Sequence, residues 1–222
     1  MRRTRGQMAA AGTSGRCLIV WDFDWSLVNE NSDTWVIEQL DPSGRVWNEV
    51  EAKLRAGEMQ WTQLMDWALG ELHKDGHAPE AIGKALASLP ILDGATAAVR
   101  LGAAAGATQR ILSDANTVYI STILEARGLA DVFPVVETNP ASYDAAGRLR
   151  VRPHQPAELP HACALCPPNL CKGAVLQQWL SEQPSRCVYI GDGGGDFCPA
   201  TRLRAGDVLL ARAAPHDSLL QK

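Results

Sequence analysis

The chain has 222 residues, 46% of them hydrophobic and 21% charged, with a formal net charge of −4. This size and balance suit one globular domain with room for a modest insertion. The charge gives no global attraction to nucleic acid or anionic lipid, and no apolar run approaches the roughly 18 residues that a membrane span needs.

Residues 1–16 contain four Arg, no acid and no apolar core. This excludes a secretory signal and predicts a disordered tail, with a short organelle-targeting remnant as the alternative. Six cysteines in a chain of this length do not make a secreted disulfide framework. They predict a reducing, cytoplasmic setting.

Cys17-Leu18-Ile19-Val20-Trp21 is an apolar run without strict alternation, the pattern of a strand buried on both faces. It ends in Asp22-Phe23-Asp24. Alternate residues of an extended chain point the same way, so both carboxylates can share one site. Unpaired, they repel each other and are costly to desolvate, and a divalent cation offsets that cost. From here to Pro90 there is no strand signal. Ser32 or Asp33 can cap a helix with Trp35, Val36, Ile37 and Leu40 on its apolar face. Apolar residues then recur at helical spacing from Val46 to Leu72, and a further helix follows Pro79. Residues 29–90 therefore read as a small helical cap inserted after the first strand. Its tryptophans Trp35, Trp47, Trp61 and Trp67 suit core packing, or else the mouth of a site.

The remainder, 17–28 and 91–222, alternates helix and strand. A helix over 93–106 precedes a strand from Gln109 to Ser113, and Gly128 ends a helix begun at Thr117. A third strand is expected over Val132–Glu137. A hairpin is expected from Tyr143 to His154 around Asp144-Ala145-Ala146-Gly147. Gly173–Leu180 is helical, and Arg186–Ile190 and Asp207–Ala211 are the last strands. This alternation predicts an α/β fold with a parallel sheet and helices on both faces. In such sheets the ligand sits at the carboxyl ends of the strands, where Asp22, Ser113 and Asp192 all fall.

Four segments in order carry the chemistry: Asp22-Phe23-Asp24-x-Ser26, Ser113-Asp114-Ala115-Asn116, Cys171-Lys172-Gly173, and Gly191-Asp192-Gly193-Gly194-Gly195-Asp196. Together they resemble the motifs of the haloacid dehalogenase superfamily of phosphatases. The longer strings Cys166-Pro167-x-Asn169-x-Cys171-Lys172 and Gly191-Asp192-Gly193-x-x-Asp196-Phe197-Cys198-Pro199 resemble its phosphoethanolamine/phosphocholine phosphatase family. That branch also includes pyridoxal-phosphate and thiamine-monophosphate phosphatases. The chain departs from the family pattern at Trp25, at Ser26 (where Thr is commoner) and at Gly195, where an Asn is usual.

The resemblance implies a Rossmann-like parallel sheet and cytosolic, Mg²⁺-dependent hydrolysis of a small phosphomonoester. The residue types allow specific roles. Asp22 is the expected nucleophile, forming an aspartyl phosphate, and Asp24 the general acid/base. Ser113 and Lys172 are expected to hold the phosphoryl oxygens. Asp22, the backbone carbonyl of Asp24, and Asp192 supply hard oxygens for Mg²⁺, with Asp196 behind them orienting a water or pairing with Lys172. By resemblance, Asp33 and Asp114 hold a cationic head group; otherwise they are a helix cap and a strand-end acid. A phosphotransferase or pyrophosphatase on the same site, and a non-catalytic phospho-ligand binder, are the rival readings. The expected partner is a small phosphomonoester, without nucleic acid or membrane, and a homodimer is open. His161, Cys163, Cys166 and Cys171 have metal-like spacing for Zn²⁺, or else are small thiols packing a loop.

Overall fold

The structure is a computed structural model and describes residues 16–222. The tail expected over 1–16 lies outside the described residues, apart from Arg16. In chain order the elements begin with β1 (Cys17–Trp21) and four helices: α1 (Ser32–Leu40), α2 (Arg45–Arg55), α3 (Trp61–Lys74) and α4 (Pro79–Ser88). Then come α5 (Asp93–Ala104), β2 (Thr108–Asn116), α6 (Thr117–Ala126), β3 (Val135–Asn139) and the short strands β4 (Ala141–Tyr143) and β5 (Leu149–Val151). The chain closes with α7 (Lys172–Leu180), β6 (Arg186–Gly191), α8 (Phe197–Ala200) and β7 (Val208–Ala211).

Five strands form one parallel sheet in the order β3-β2-β1-β6-β7. β1 is central. The chain adds β2 and β3 on one side of it and β6 and β7 on the other, which makes the end of β1 the topological switch point. Trp21 pairs with Ile111 of β2 and with Ile190 of β6. Asp22, Ser113 and Asp192 therefore emerge just past one line across three adjacent strands.

The central strands pack on both faces because they carry apolar residues at even and odd positions alike, while Leu209 and Leu210 of the edge strand β7 stay exposed. Leu18, Val20, Leu112, Cys187 and Tyr189 pack against Leu176, Trp179 and Leu180 of α7. Trp21, Ile111, Val99 of α5 and Ile120 of α6 belong to the opposite face. That second cluster runs on without a break into Val36, Ile37, Val50, Leu64, Leu72 and Leu86 of the inserted helices. The four inserted tryptophans are partly buried against it, so packing accounts for most of their surface. A polar latch joins insertion and core. Asp66 of α3 accepts from Arg148 at 3.1 Å, from Arg150 at 3.0 Å, and from the Val151 N–H at 2.9 Å. The hairpin turn falls between β4 and β5, inside the expected span.

Two local expectations are corrected. Asn31, not Ser32 or Asp33, caps α1, its side chain accepting from the Thr34 N–H at 3.0 Å. In a run of three good caps, the side chains of Ser32 and Asp33 are committed elsewhere. The third strand starts at Val135 rather than Val132. Ala130–Val132 forms a 3₁₀ turn, and Pro134 has no N–H to give the ladder.

Candidate active site

The strand ends enclose a cavity of about 150 Å³, lined by Asp22, Asp24, Trp25, Asn31, Ser113, Asp114, Ala115, Lys172, Asp192, Gly193, Gly195 and Asp196. All four sequence motifs thus meet in one place. Lys172 is the centre of the arrangement. It is the first residue of α7 and is almost wholly buried. Its Nζ lies 2.9 Å from Asp22 Oδ1 and 3.0 Å from Asp196 Oδ1. Burial disfavours its charge, but Asp196, Asp22 and Asp114 outweigh that and hold the ammonium protonated well above the ordinary lysine range.

Asp196 is a fully committed support. Its Oδ1 also accepts from the buried Tyr189 hydroxyl at 2.7 Å, and its Oδ2 accepts from the N–H groups of Asp192 and Gly193, each at 3.1 Å. The approach depends on a missing side chain: a Cβ on Gly191 would stand 2.6 Å from the Asp196 carboxyl. Asp22 and Asp192 are less committed. Asp22 Oδ1 faces Lys172 without a well-angled hydrogen bond, and the Asp192 carboxylate receives a long 3.4 Å contact from Ser26. Burial, with Asp196 adding to it, raises the affinity of both carboxyls for protons.

Carboxylate oxygens of Asp22, Asp192 and Asp196 lie within 4.8 Å of one another. With both Asp196 oxygens hydrogen-bonded, the open oxygens of this set belong to Asp22 and Asp192. They are hard donors in a buried, electron-rich corner, a set that fits a Mg²⁺-sized dication.

Asp24 is held by α1. It accepts from the Ser32 N–H at 3.0 Å and from the Ser32 hydroxyl at 3.2 Å. Burial, then the charge of Asp33, pushes its carboxyl up to about 8, so it carries a proton at neutral pH. Asp33 is itself buried and accepts from the Trp61 indole N–H at 2.8 Å. Burial raises its carboxyl to about 6; the Trp61 bond opposes the rise and Asp114 adds to it. Asp114 lines the cavity and Asp33 does not. Burial raises the Asp114 carboxyl, with Lys172 partly offsetting this. The β2–β3 register breaks between Leu112 and Asn116, which turns Ser113 and Asp114 out of the ladder and into the site. Asn139 fastens that break by donating to the carbonyls of Asp114 and Ala115.

Trp25 adopts a left-handed φ of 57°, uncommon for an aromatic residue. Its N–H donates to Glu30 O, Arg212 bonds its carbonyl, and its ring stacks on His216. Tyr189 and Ser32 are contributors that sequence reasoning did not assign to the site, and Trp61, one of the tryptophans offered for its mouth, braces Asp33.

Comparison with known proteins agrees with this geometry. The family described as "Putative Phosphatase" matches residues 17–217. A thiamine phosphate phosphatase-like protein of Arabidopsis thaliana is 37% identical over 203 residues, covering 89% of this chain and 80% of its own. A pyridoxal phosphate phosphatase of Rattus norvegicus is 38% identical over 210 residues, covering 89% and 82%. A substrate-bound phosphoserine phosphatase structure superposes with a TM-score of 0.56 at 15% identity, over 89% of this chain and 86% of that one, and shares the fold. The chain therefore belongs to this phosphatase family.

Proposed function

We propose that the protein is a Mg²⁺-dependent phosphomonoester hydrolase that works through an aspartyl phosphate on Asp22. The observation that carries this reading is the convergence of Asp22, Asp24, Ser113, Lys172 and Asp192 on one cavity, with the Lys172 ammonium 2.9 Å from Asp22. Asp22 and Asp192, with the Asp24 carbonyl, would hold the metal, which when bound neutralises charge developing on the phosphoryl oxygens. Lys172 opposes the burial and the Asp196 charge that raise the Asp22 carboxyl, and so favours its attacking anion. An Asp22 oxygen attacks phosphorus as the bond to the leaving oxygen breaks, and Asp24 gives its proton to that oxygen. Water then attacks the phosphoryl group and returns a proton to Asp24. The bond to Asp22 breaks and orthophosphate leaves. Ser113 and Lys172 hold the non-bridging oxygens throughout. Residues 29–90 act as a cap that brings Ser32 to Asp24 and Asp33 to its rear.

For the substrate we infer a small phosphomonoester bearing an organic cation, phosphoethanolamine or phosphocholine first. With Asp24 protonated, the cavity and its backing still set five carboxyls (Asp22, Asp33, Asp114, Asp192 and Asp196) against one ammonium. One dication does not cancel that excess, and a cationic head group beside Asp114 lowers it further. Thiamine phosphate carries such a cation as well, while the high charge of pyrophosphate is disfavoured by the same excess. A phosphate-release screen over phosphocholine, phosphoethanolamine, thiamine monophosphate, pyridoxal phosphate and pyrophosphate, with and without Mg²⁺, tests the reading. It fails if no monoester is turned over in the presence of Mg²⁺, or if pyrophosphate alone is.

Two results are expected here. Lys172→Ala removes the charge facing the anion. It should weaken orthophosphate or vanadate inhibition along with turnover, and unchanged inhibition constants would place Lys172 outside the phosphate site. Asp33→Asn with Asp114→Asn should lower kcat/KM for phosphocholine while sparing an aryl phosphate. One charge pair at about 4 Å contributes roughly 4 kcal/mol at an effective dielectric near 20, before desolvation. Asp33 is ionised above about 6, so the preference for phosphocholine over aryl phosphate should grow as pH rises through that value. The ratio cancels the titration of the phosphate itself. Equal loss of both substrates in the double variant would remove the head-group role.

A further inference from the structure

A second cluster of chemistry-bearing side chains lies outside the cavity. The thiols of Cys163, Cys166, Cys171 and Cys198 come within 4.8 Å of one another. All four are free, Cys171 and Cys198 buried and the other two half-buried. Cys163 Sγ and Cys198 Sγ are 3.6 Å apart. A disulfide needs about 2.05 Å, whereas a tetrahedral zinc with Zn–S bonds of about 2.3 Å sets its sulfurs about 3.8 Å apart. Room for Cys198 is made by Gly173, where a Cβ would stand 2.4 Å from its sulfur.

The surrounding chain gives the cluster a purpose. Residues 152–169 contain no helix or strand and no buried residue, so neither a ladder nor an apolar core fixes this segment. Loops of such length inside a compact domain are uncommon unless something holds them. His161, which its spacing offered as a ligand, has both ring nitrogens engaged. Nδ1 accepts from the Cys163 N–H at 3.3 Å and Nε2 bonds Pro167 O at 2.9 Å. The fourth donor is Cys198, distant in sequence and contributed by α8.

We propose that Cys163, Cys166, Cys171 and Cys198 bind one Zn²⁺ as a structural tetrathiolate site that pins the 152–171 segment to α8. Four soft donors in tetrahedral reach and no open position suit a closed structural zinc. Each thiol gives up its proton to solvent on binding, and the metal stays Zn²⁺. The placement also serves the active site. Cys171 immediately precedes Lys172, and Cys198 follows Asp196 by two residues, so the ion would tie together the two segments whose side chains meet at 3.0 Å.

The test is metal analysis of the full chain, expressed without added zinc and purified without chelator. About one zinc per chain is expected. Cobalt exchanged into the site should give the intense visible bands of tetrahedral Co²⁺ with sulfur-to-cobalt charge transfer in the near ultraviolet. Cys163→Ser with Cys166→Ser should lose the zinc, lower the melting temperature and open 152–171 to protease. Zinc absent with no cobalt–thiolate spectrum, iron in its place, a disulfide among the four, or zinc retained by the double variant would each overturn the assignment. If the variant does not fold, the cobalt spectrum of the unaltered chain decides alone. The outcome is independent of the phosphatase reading, because no step of that chemistry uses these sulfurs.

Discussion

Asp22→Asn is expected to abolish turnover, with a loss on the order of 10⁴-fold or more in kcat for any phosphomonoester the protein hydrolyses. An amide oxygen is too weak a nucleophile to attack phosphorus, and it is a poorer ligand for a dication. The fold should survive. Burial and the neighbouring Asp196 make the Asp22 charge costly, and Lys172 keeps Asp196 as its partner at 3.0 Å when that charge is gone. A melting temperature unchanged or raised, beside a dead enzyme, is therefore the expected pair of measurements. Retention of more than about a tenth of the activity would move the nucleophile elsewhere; Ser113 is the motif hydroxyl in the same wall.

Asp24→Asn is expected to slow kcat for an alkyl phosphate by roughly 10²–10⁴-fold, the usual worth of a positioned acid/base. At neutral pH the Asp24 carboxyl, pushed up to about 8 by burial and then Asp33, has a proton to give, and an amide has none to exchange. The protonated form is lost as pH rises through about 8, so kcat on an alkyl phosphate should fall along an alkaline limb there, absent from the variant. An aryl phosphate has a good leaving group and needs the acid less. The variant should therefore release one equivalent of aryl alcohol in a burst and then stall at hydrolysis of the phosphoenzyme. Substrate affinity that collapses while the rate at saturation holds would assign Asp24 to binding instead.

The parallel sheet and the placing of its ligand end were legible in the sequence. Strands such as Cys17–Trp21 and Arg186–Gly191 are apolar runs of strand length, and each stops at an aspartate. What stayed hidden was long-range. Tyr189 reads as one more apolar strand residue, and only the folded chain shows its hydroxyl 2.7 Å from Asp196. In Asn31-Ser32-Asp33 three good helix caps stand side by side. The sequence cannot say which one caps until Asp24 claims Ser32 and Trp61 claims Asp33. Asp33 was expected to hold a head group by resemblance or else to cap the helix; it is absent from the cavity lining, and its carboxylate accepts from Trp61, 28 residues away. The spacing of Cys163, Cys166 and Cys171 pointed to His161 as a fourth ligand, because Cys198 is brought in only by the packing of α7 on α8. Local pattern carried the strands and the acids at their ends. Contacts between distant segments decided which neighbour each acid would face.

The central claim is that phosphate passes through a covalent bond to Asp22. The direct measurement is a rapid acid quench of the Asp24→Asn variant during the burst with an aryl phosphate, followed by borohydride reduction and peptide mass mapping. Acid preserves an acyl phosphate, and borohydride converts the phosphorylated aspartate to homoserine. The account predicts homoserine at position 22 in an amount matching the burst, and none when the variant also carries Asp22→Asn. Phosphate found on Ser113, or a burst with no reducible aspartate at 22, would contradict it.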